Sequence, residues 1–408
     1  MSCSGLGFYE FFAGAGLVRL GLGHQWRCLW ANDIDPRKAD VYMANFDKSE
    51  FLLGDVALVR ASSLPIGSHL AWASFPCQDL SLAGWRQGMS GDRSGTFWAF
   101  WRIMRDLYDD ERRPPIIVIE NVVGLLHNRD DFQGLCEALA SLGMQFGALV
   151  IDARLFLPHS RPRVFLIAVD SRLDCEAFSC NSPYSAPWFP KAILRAYQRL
   201  PSPLQQLWRW WRLPNPCLRI ASVESLIQDE PDGVDWHTPD ETERLLSMMS
   251  EPNLKKVRQA IALGYPCIGF VYRRVRQGQQ RAEVRFDGIA GCLRTPRGGS
   301  SRQIVLVVEG ERIRSRLLSP REAARLMGVP DTFWLPDNYN NAYFAMGDAV
   351  AVPVVAWLSE HLLVPLAHAV ESGDGYTEEV TMCLTDEELN EYRSASEDLM
   401  AMWEAGRQ

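Results

Sequence analysis

The sequence of 408 residues predicts an α/β fold with an open, largely parallel sheet and a smaller second domain. Two patterns carry this prediction. Up to Asp170, short apolar runs recur, and several end in a glycine-rich or acidic turn, as buried parallel strands do. Between Asp170 and about Ser315 the alternation of strands and helices fades. This loss of alternation indicates a separately organised segment.

The most informative of these runs is Leu70–Ala73, which leads into the turn Ser74–Gln78. The turn contains Pro76, whose ring fixes φ and removes one N–H group, and then Cys77. A thiol at the carboxyl end of a strand lies where open α/β sheets form their reaction sites. A buried structural cysteine is the alternative, and the surrounding motifs favour a nucleophile.

A second apolar run, Pro115–Ile119, ends at Glu120. Both faces of so apolar a strand are expected to be covered, so the Glu120 carboxyl emerges from a core. Desolvation raises the pKa of such a carboxyl, and a protonated carboxyl can donate to a ring nitrogen. A solvated glutamate at a strand end is the alternative. A thiol and an acid on neighbouring strand ends would place a nucleophile and a proton donor at one rim.

Three further turns indicate a nucleoside-containing cofactor. The segment Phe12–Gly16 permits a tight strand-to-helix turn, because its two glycines allow close backbone approach to a ligand. Asp33 follows a second apolar run and suits the hydroxyls of a ribose, while a helix cap ahead of Pro36 is a nearly equal alternative. Asp55 follows a third run. Together the three turns favour a nucleoside cofactor over isolated structural glycines and caps.

These motifs, in this order, resemble those of the DNA (cytosine-5)-methyltransferases over roughly residues 8 to 360. The resemblance identifies a nucleophile loop, Pro76–Gln78, an acid motif, Glu120–Val122, and a segment whose arginines hold the target base, Arg154–Arg163. It also identifies an element that braces the recognition domain, Arg316–Gly328, and a closing motif, Gly347–Pro353. Several ordered motifs are far more specific than any single one.

The resemblance implies a Rossmann-like class I S-adenosylmethionine (SAM)-dependent methyltransferase domain, which methylates carbon 5 of a flipped-out cytosine in a specific duplex DNA sequence. Cys77 would attack carbon 6 and form a transient covalent adduct, while Glu120 would protonate or hydrogen-bond N3. Arg163 would hold the O2 side, and Arg161 would position it or a phosphate; surface ion pairing is the alternative for both. The cofactor residues implied are Phe12, Ala13, Gly14, Gly16, Asp33, Ile34, Asp55, Val56, Pro76 and Asp348.

Three places depart from the family pattern. Leu17 occupies the usual position of a second glycine, which predicts a slightly wider cofactor loop. His159 replaces a glutamine; it can still donate a hydrogen bond, but its charge is expected to depend on pH. Asp348 and Ala349 replace the more common Asn and Ser, which adds a negative charge near the cofactor. We expect activity to survive all three, because none of them alters the nucleophile or the acid.

The motifs divide the chain into three predicted parts. Residues 1–171 and 336–366 form the catalytic domain, residues 172–335 a target-recognition domain that binds DNA, and residues 367–408 an acidic C-terminal tail. The recognition domain would position DNA through arginine–phosphate contacts and read base edges in the major groove. Most tryptophans between residues 188 and 219 are expected to be core residues.

Charge is unevenly distributed along the chain, whose formal net charge is −8. Residues 251–325 contain 16 Lys and Arg against 6 Asp and Glu, whereas residues 371–408 contain 2 against 11. The net charge argues against a simple basic DNA-binding protein, and the uneven distribution predicts a basic working half followed by an acidic tail.

Two flexible loops are predicted to contact DNA. The glycine-rich loop Gln87–Gly95 follows the nucleophile and is expected to close over the flipped nucleotide, with a plain surface loop as the alternative. The loop Arg294–Arg302 combines small hydroxyl residues with three cations. The DNA-contact residues predicted from both loops are Gln87, Arg93, Arg294, Arg297 and Arg302.

The remaining features predict the cellular setting. Ten cysteines show neither a Cys-x-x-Cys pair nor zinc-ligand spacing, so we expect no metal and a reduced, intracellular enzyme. We further expect a cytoplasmic location, in a prokaryotic cell or as a phage-encoded protein. We expect a monomer, and we expect no membrane contact, because no run approaches membrane-spanning length. Residues 377–404 predict an acidic amphipathic helix, and a fraying surface extension is favoured over a partner-binding one.

Two other functions compete with DNA methylation. The same chemistry on RNA is one, but a large arginine-rich segment favours a reader of the duplex DNA major groove. A DNA-binding protein with an inactive site is the other, and the presence of Cys77, Glu120 and both arginines argues against it. The sequence does not decide whether a cognate restriction endonuclease is a functional partner.

Overall fold

The computed structural model describes residues 5–76, 96–216, 221–276, 278–294, 302–373 and 386–405. The strands in these ranges are β1 Leu6–Phe11, β2 Trp26–Asp33, β3 Phe51–Leu53, β4 Ser68–Ala73, β5 Ile116–Val122, β6 Met144–Asp152, β7 Pro162–Asp170, β8 Ser179–Cys180, β9 Trp210–Trp211, β10 Cys267–Arg276, β11 Gln279–Arg285, β12 Ile304–Glu309 and β13 Arg312–Leu317. The helices are α1 Leu17–Leu22, α2 Pro36–Asn45, α3 Thr96–Asp109, α4 Arg129–Ser141, α5 Lys191–Arg199, α6 Ser202–Gln206, α7 Val223–Leu226, α8 Pro239–Ser247, α9 Glu251–Ala262, α10 Pro320–Leu326, α11 Tyr339–Asp348, α12 Val352–Leu358, α13 Val364–Ser372 and α14 Asp386–Ala405.

The large sheet contains seven strands in the order β3-β2-β1-β4-β5-β7-β6. Strand β7 is antiparallel to both of its neighbours, and the other strand pairs are parallel. Strands β1, β4 and β5 are buried along almost their whole length. Such continuous burial is typical of strands that are covered on both faces. The predicted α/β fold with a largely parallel sheet is confirmed.

A topological switch point lies between β1 and β4. From β1 the chain continues to β2 and β3 on one side and then crosses to β4 on the other. Open α/β sheets bind their ligands outside the carboxyl ends of the strands at such a point. The turn after β4 is tied to β1 there, because the Ser74 N–H donates to the Phe11 carbonyl over 3.4 Å. The fold therefore brings the glycine-rich turn and the start of the nucleophile turn to one crevice.

The second sheet is antiparallel, with strand order β11-β10-β12-β13. Helices α8 and α9 supply side chains to a separate hydrophobic core beside it, which extends from Leu245 to Val308. This core is narrower than the predicted recognition domain of residues 172–335.

The tryptophan-rich segment joins the core of the large sheet. Four of its tryptophans are at most 5% exposed and belong to the large hydrophobic cluster: Trp188, Trp208, Trp210 and Trp211. The Trp211 indole N–H donates to the Gly147 carbonyl on β6 over 3.1 Å. A Cβ on Gly147 would lie only 1.9 Å from the Arg209 carbonyl oxygen, so this close contact requires glycine. The prediction of core tryptophans is confirmed, but their core is not that of a recognition domain.

The C-terminal helix α14 packs against α3 and α4. Tyr392, Ser396 and Met400 recur at every fourth position on the packed face, and Ser396 is 1% exposed. Arg393 also donates to Asp109 on α3 over 2.9 Å. From residue 386 onward the predicted helix is confirmed, and the prediction of a fraying surface extension is wrong for α14. Residues 374–385 and 406–408 of the predicted acidic tail lie outside the described residues.

One long apolar helical segment, Tyr339–Ser372, was not expected. In the part of the chain that the structure describes, its length and composition alone would allow it to cross a membrane. The expectation that no run approaches this length is therefore wrong. However, 61% of its most apolar stretch is buried inside the protein, and most of its buried apolar side chains belong to the large hydrophobic cluster. A helix in a protein core shows the same properties.

Candidate active site

A cavity of about 330 Å³ lies at the carboxyl ends of the central strands of the large sheet. Most of the predicted cofactor residues line it together with the predicted groups that contact the base. The predicted residues in its wall are Phe12, Ala13, Gly14, Asp33, Ile34, Asp55, Val56, Pro76, Glu120, Arg161, Arg163 and Asp348. Leu17, the first departure from the family pattern, also lies in the wall. The fold therefore joins motifs that are far apart in the sequence at one site.

The turn after β1 owes its shape to unusual backbone angles. Gly14 has a φ of 58° and Gly16 a φ of 81°. Phe12 has a φ of 58°, which is uncommon for a residue with a side chain and marks a constrained turn. Gly16 does not line the cavity; a Cβ there would lie 2.5 Å from the Phe46 ring, so its glycine serves packing as well as the turn.

Asp33 holds this turn instead of capping a helix. One carboxylate oxygen accepts from the Gly14 N–H over 2.8 Å, and the other accepts from the Asp35 N–H over 2.8 Å. The cap of α2 is Asp35, whose carboxylate accepts from the Arg37 N–H. The capping alternative for Asp33 is therefore wrong. Ile34 beside it is 67% exposed at the cavity wall and presents an apolar face there.

Glu120 lies inside the cavity wall with only 6% of its surface exposed. Strand β5 continues to Val122, so Glu120 pairs with Phe165 on β7 and does not lie beyond the strand end. Burial raises the pKa of Glu120, while the charges of Arg163 and Arg161 oppose this rise. Arg163 Nε lies 3.2 Å from Glu120 Oε1. The predicted rise in the pKa is confirmed, and the carboxyl stays protonated to a higher pH than a solvated glutamate.

The turn that leads to the nucleophile is attached to the acid motif. Asn121 donates through Nδ2 to the Phe75 carbonyl over 3.3 Å, and Pro76 lines the cavity. Cys77 itself lies outside the described residues. The predicted DNA contacts Gln87, Arg93 and Arg297 lie outside them too.

Arg161 connects three parts of the structure. It lies just before β7 and is 2% exposed. Its two terminal nitrogens donate to the carbonyl of Leu293, over 3.0 Å, and to that of Gly347, over 2.9 Å. Burial, followed by the nearby charge of Arg163, lowers the pKa of Arg161 to about 10, so it is still charged at neutral pH. A guanidinium engaged in this way fixes the cavity wall rather than facing solvent.

His159 forms a similar connection through a neutral ring. The Leu293 N–H donates to Nε2 over 3.2 Å, so the ring proton is on Nδ1, which donates to the Leu326 carbonyl over 3.0 Å. The ring is fully buried, and burial, with the charge of Arg161 next, lowers the pKa of His159 to about 3. The expected hydrogen-bond donation is confirmed. The expected dependence of its charge on pH is wrong for the neutral range, because desolvation keeps the ring uncharged.

Asp348 carries a charge that has a partner. Lys38 Nζ lies 2.8 Å from Asp348 Oδ2, and both residues line the cavity. The predicted extra negative charge near the cofactor is therefore balanced by a cation from α2.

The predicted DNA-contact arginines that the structure describes differ in their surroundings. Arg294 is exposed. Arg302 is half-buried, donates to the Asn340 side chain and lies over the Tyr339 ring, with its guanidinium carbon 5.2 Å from the ring centre. Arg294 is thus the more accessible of the two. Among the described residues, no group of three or more His, Cys, Asp or Glu is arranged to hold a metal ion.

Residues 6–363 match the family model of the C-5 cytosine-specific DNA methylases. The chain belongs to this family. Two curated relatives of this methylase are similar over most of its length. It is 26% identical to the Type II methyltransferase M.HhaI of Haemophilus parahaemolyticus over 365 residues, which cover 88% of the chain and 94% of M.HhaI. It is 31% identical to the Type II methyltransferase M.MspI of a Moraxella species over 365 residues, which cover 88% of the chain and 71% of M.MspI.

Solved structures with the same fold include two eukaryotic methyltransferases. The Dnmt2 methyltransferase of S. pombe superposes with a TM-score of 0.54 at 17% identity, covering 88% of this methylase and 99% of Dnmt2. The EhMeth methyltransferase of Entamoeba histolytica gives a TM-score of 0.60 at 14% identity, covering 89% and 99%. These likenesses confirm the methyltransferase fold. The family match confirms the enzyme class, a DNA cytosine-5-methyltransferase.

The wall of the methylase cavity also contains side chains that sequence reasoning missed, among them one cation and one aromatic ring. Lys38 and Phe344 both line it. Neither belongs to a segment with an unusual composition, and their proximity to the cofactor turn depends on how α2 and α11 pack. A periodic pattern in the sequence carries no signal for such a contact.

Proposed function

We propose that this methylase binds SAM in the cavity and methylates carbon 5 of a cytosine that is flipped out of a specific duplex DNA sequence, through a covalent adduct with Cys77. The observation that supports this most strongly is the shared cavity. The predicted cofactor turns and the pair Glu120–Arg163 line the same space. A methyl donor and a pyrimidine can therefore meet there.

The cavity residues fit the proposed cofactor. The largely buried Asp33 carboxylate reaches the wall and has acceptor capacity for ribose hydroxyls. The exposed side chain of Ile34 offers an apolar surface to an adenine ring, and Asp55 and Val56 follow on the same side. The sulfonium group of the cofactor would supply an electrophilic methyl group. The protein's task is to hold that group beside the base.

The protein groups have separate roles in the proposed reaction. Carbon 5 of cytosine is a poor nucleophile until a thiolate adds to carbon 6, and Cys77 supplies that thiolate. Glu120 donates its proton to N3, so that no negative charge accumulates on the ring. Arg163 faces the O2 side beside Glu120, while Arg161 is a positioning residue that keeps the wall in place. Carbon 5 then takes up the methyl group, and a base, proposed to be a bound water, removes the proton from carbon 5. The Cys77 thiolate leaves, Glu120 takes back the proton from N3, and the aromatic ring is restored.

The DNA-binding side is proposed to be the four-stranded sheet and the segment that leaves it. The separate hydrophobic core of this sheet extends from Leu245 to Val308. The proposed recognition domain is therefore a smaller part of the predicted residues 172–335. Arg294 is exposed next to Leu293, which both His159 and Arg161 hold. Arg294, Arg297, Arg302, Gln87 and Arg93 remain proposed DNA contacts. Bases would be read by only a few of them, and phosphates by the rest.

The setting of the reaction is also proposed. M.HhaI and M.MspI are named Type II methyltransferases of bacteria. We propose a monomeric cytoplasmic enzyme of a bacterium or phage that protects sites from a cognate restriction endonuclease.

A methyl-transfer assay with labelled SAM tests the proposal. We expect label in duplex DNA, none in RNA of the same sequence pool, and none in either with Cys77→Ser. Label in RNA alone would show that the substrate is RNA and would contradict the proposed DNA substrate. Transfer by Cys77→Ser at the rate of the unmodified protein would contradict the covalent mechanism.

A further inference from the structure

One wall of the cavity carries a cation that the sequence motifs did not indicate. Lys38 lies in the first turn of α2, and its side chain is 16% exposed. Its Nζ lies 2.8 Å from Asp348 Oδ2 and 5.3 Å from the centre of the Phe344 ring. Its stem passes Gly14, because a Cβ there would lie 3.9 Å from Lys38 Cδ. Lys38 therefore lies between the turn after β1 and the end of α11.

Lys38 differs from the other cations of the wall. The cations among the described lining residues are Lys38, Arg161 and Arg163. Arg161 donates to two backbone carbonyls, and Arg163 faces Glu120. An ammonium group has three N–H donors, and Asp348 engages one of them. Lys38 is thus the cation in this part of the wall that can donate to a bound anion.

The shape of the proposed cofactor assigns a ligand group to this wall, and this step rests on the proposed function. A sulfonium donor has three arms on its sulfur atom. In the proposed function the methyl arm would face the base beside Glu120, and Asp33 and Asp55 would hold the adenosyl arm. The third arm ends in a carboxylate and an ammonium group. The wall left for it contains Gly14 and Lys38.

We propose that Lys38 binds the carboxylate at the amino-acid end of the cofactor and that Asp348 holds the lysine in position for this contact. Hydrogen bonds between two charged groups are shorter and stronger than neutral ones. The low exposure of the Lys38 side chain limits the screening of this contact by solvent. The pair also explains how an aspartate fits at position 348, because the Lys38 ammonium group balances the charge of the carboxylate.

The test measures binding of three ligands to the full-length protein and to Lys38→Met by calorimetry. The ligands are S-adenosylhomocysteine, its decarboxylated analogue and 5′-methylthioadenosine, which lacks the whole amino-acid end. We expect Lys38→Met to weaken S-adenosylhomocysteine binding by about ten- to a hundredfold, the range of a lost charged hydrogen bond. Binding of the two ligands without a carboxylate should not change. Thermal unfolding checks that the variant is folded.

Arg37→Met is the matched control. Arg37 lies on the same helix and over the same Phe344 ring, at 4.8 Å, but it pairs with Asp35 and does not line the cavity. We expect it to bind all three ligands like the unmodified protein. Equal weakening of all three ligands by Lys38→Met, or no weakening of any, would overturn the role of Lys38. If the unmodified protein binds none of them, the proposed cofactor itself is wrong.

Discussion

Replacing Glu120 by glutamine is expected to lower the rate of methyl transfer by about 10²- to 10⁴-fold, the usual contribution of a positioned acid. Glutamine keeps the shape and can still donate a hydrogen bond to N3, but it cannot deliver a proton. Because Glu120 is 6% exposed and faces Arg163 at 3.2 Å, the loss acts at the base side of the cavity. Single-turnover transfer of labelled methyl groups measures the effect.

The dependence of this rate on pH identifies the acid. Burial raises the pKa of Glu120, so the protonated form is present below that raised pKa and is lost as the pH rises through it. We expect the unmodified enzyme to lose rate over that alkaline limb and the Glu120→Gln variant to lack it. Binding of S-adenosylhomocysteine should be equal in both proteins. A variant with the full rate, or with the same alkaline limb, would contradict the assignment of Glu120.

The largest expected effect on stability comes from the buried pair of Arg316 and Glu322. Neither side chain is exposed, and the two terminal nitrogens of Arg316 lie 2.8 and 2.7 Å from the two carboxylate oxygens of Glu322. The pair connects β13 of the small sheet to α10 and to the Gln228 backbone. Replacing Arg316 by methionine leaves a buried carboxylate without its cation, so we expect a loss of roughly 3–5 kcal/mol in the free energy of unfolding.

Urea denaturation measures this loss, and a second variant separates charge from volume. We expect Arg316→Met combined with Glu322→Leu to recover part of the lost stability, because no unpaired charge is then buried. The exposed pair Arg258–Glu251 is the control, and its removal should change stability by less than about 1 kcal/mol. If Arg316→Met unfolds at the same urea concentration as the unmodified protein, the connection between β13 and α10 does not depend on this pair.

Features that depend on one strand and the turn after it were predictable from the sequence. The apolar runs before Asp33, Asp55 and Glu120 indicated strands of a parallel sheet, and the carboxyl ends of such strands meet at one edge. The raised pKa of Glu120 followed from the same reasoning, because a carboxyl on a strand that is covered on both faces is desolvated, although the strand continues past Glu120 to Val122.

Features that depend on contacts between distant segments were not predictable. Lys38 and Asp348 are 310 positions apart, and no local pattern connects them. His159 loses its pH dependence because burial of its ring, followed by the nearby charge of Arg161, lowers its pKa, and this burial depends on contacts with the distant Leu293 and Leu326. For Asp33 the sequence left a ribose contact and a helix cap nearly equal, and only the contact of Asp33 with Gly14 and the cap formed by Asp35 exclude the second.

For the tryptophan-rich segment, the sequence did not indicate which domain it packs against. Its apolar composition indicated burial but not the partner, and the close approach of Trp211 to Gly147 places it on the large sheet. The acidic composition of α14 also led to a wrong expectation, that of a fraying surface extension. Its apolar stripe is narrow, yet α3 and α4 supply a matching surface.

Trapping of the enzyme on 5-fluorocytosine tests the central claim most directly. Fluorine at carbon 5 cannot leave as a proton does, so a thiolate bound at carbon 6 stays attached after methyl transfer. With SAM and a pool of duplexes that covers all short sites, we expect a protein–DNA complex that survives denaturing electrophoresis and is absent for Cys77→Ser. Absence of that complex for the unmodified protein, under conditions in which it methylates ordinary cytosine, would contradict the covalent mechanism.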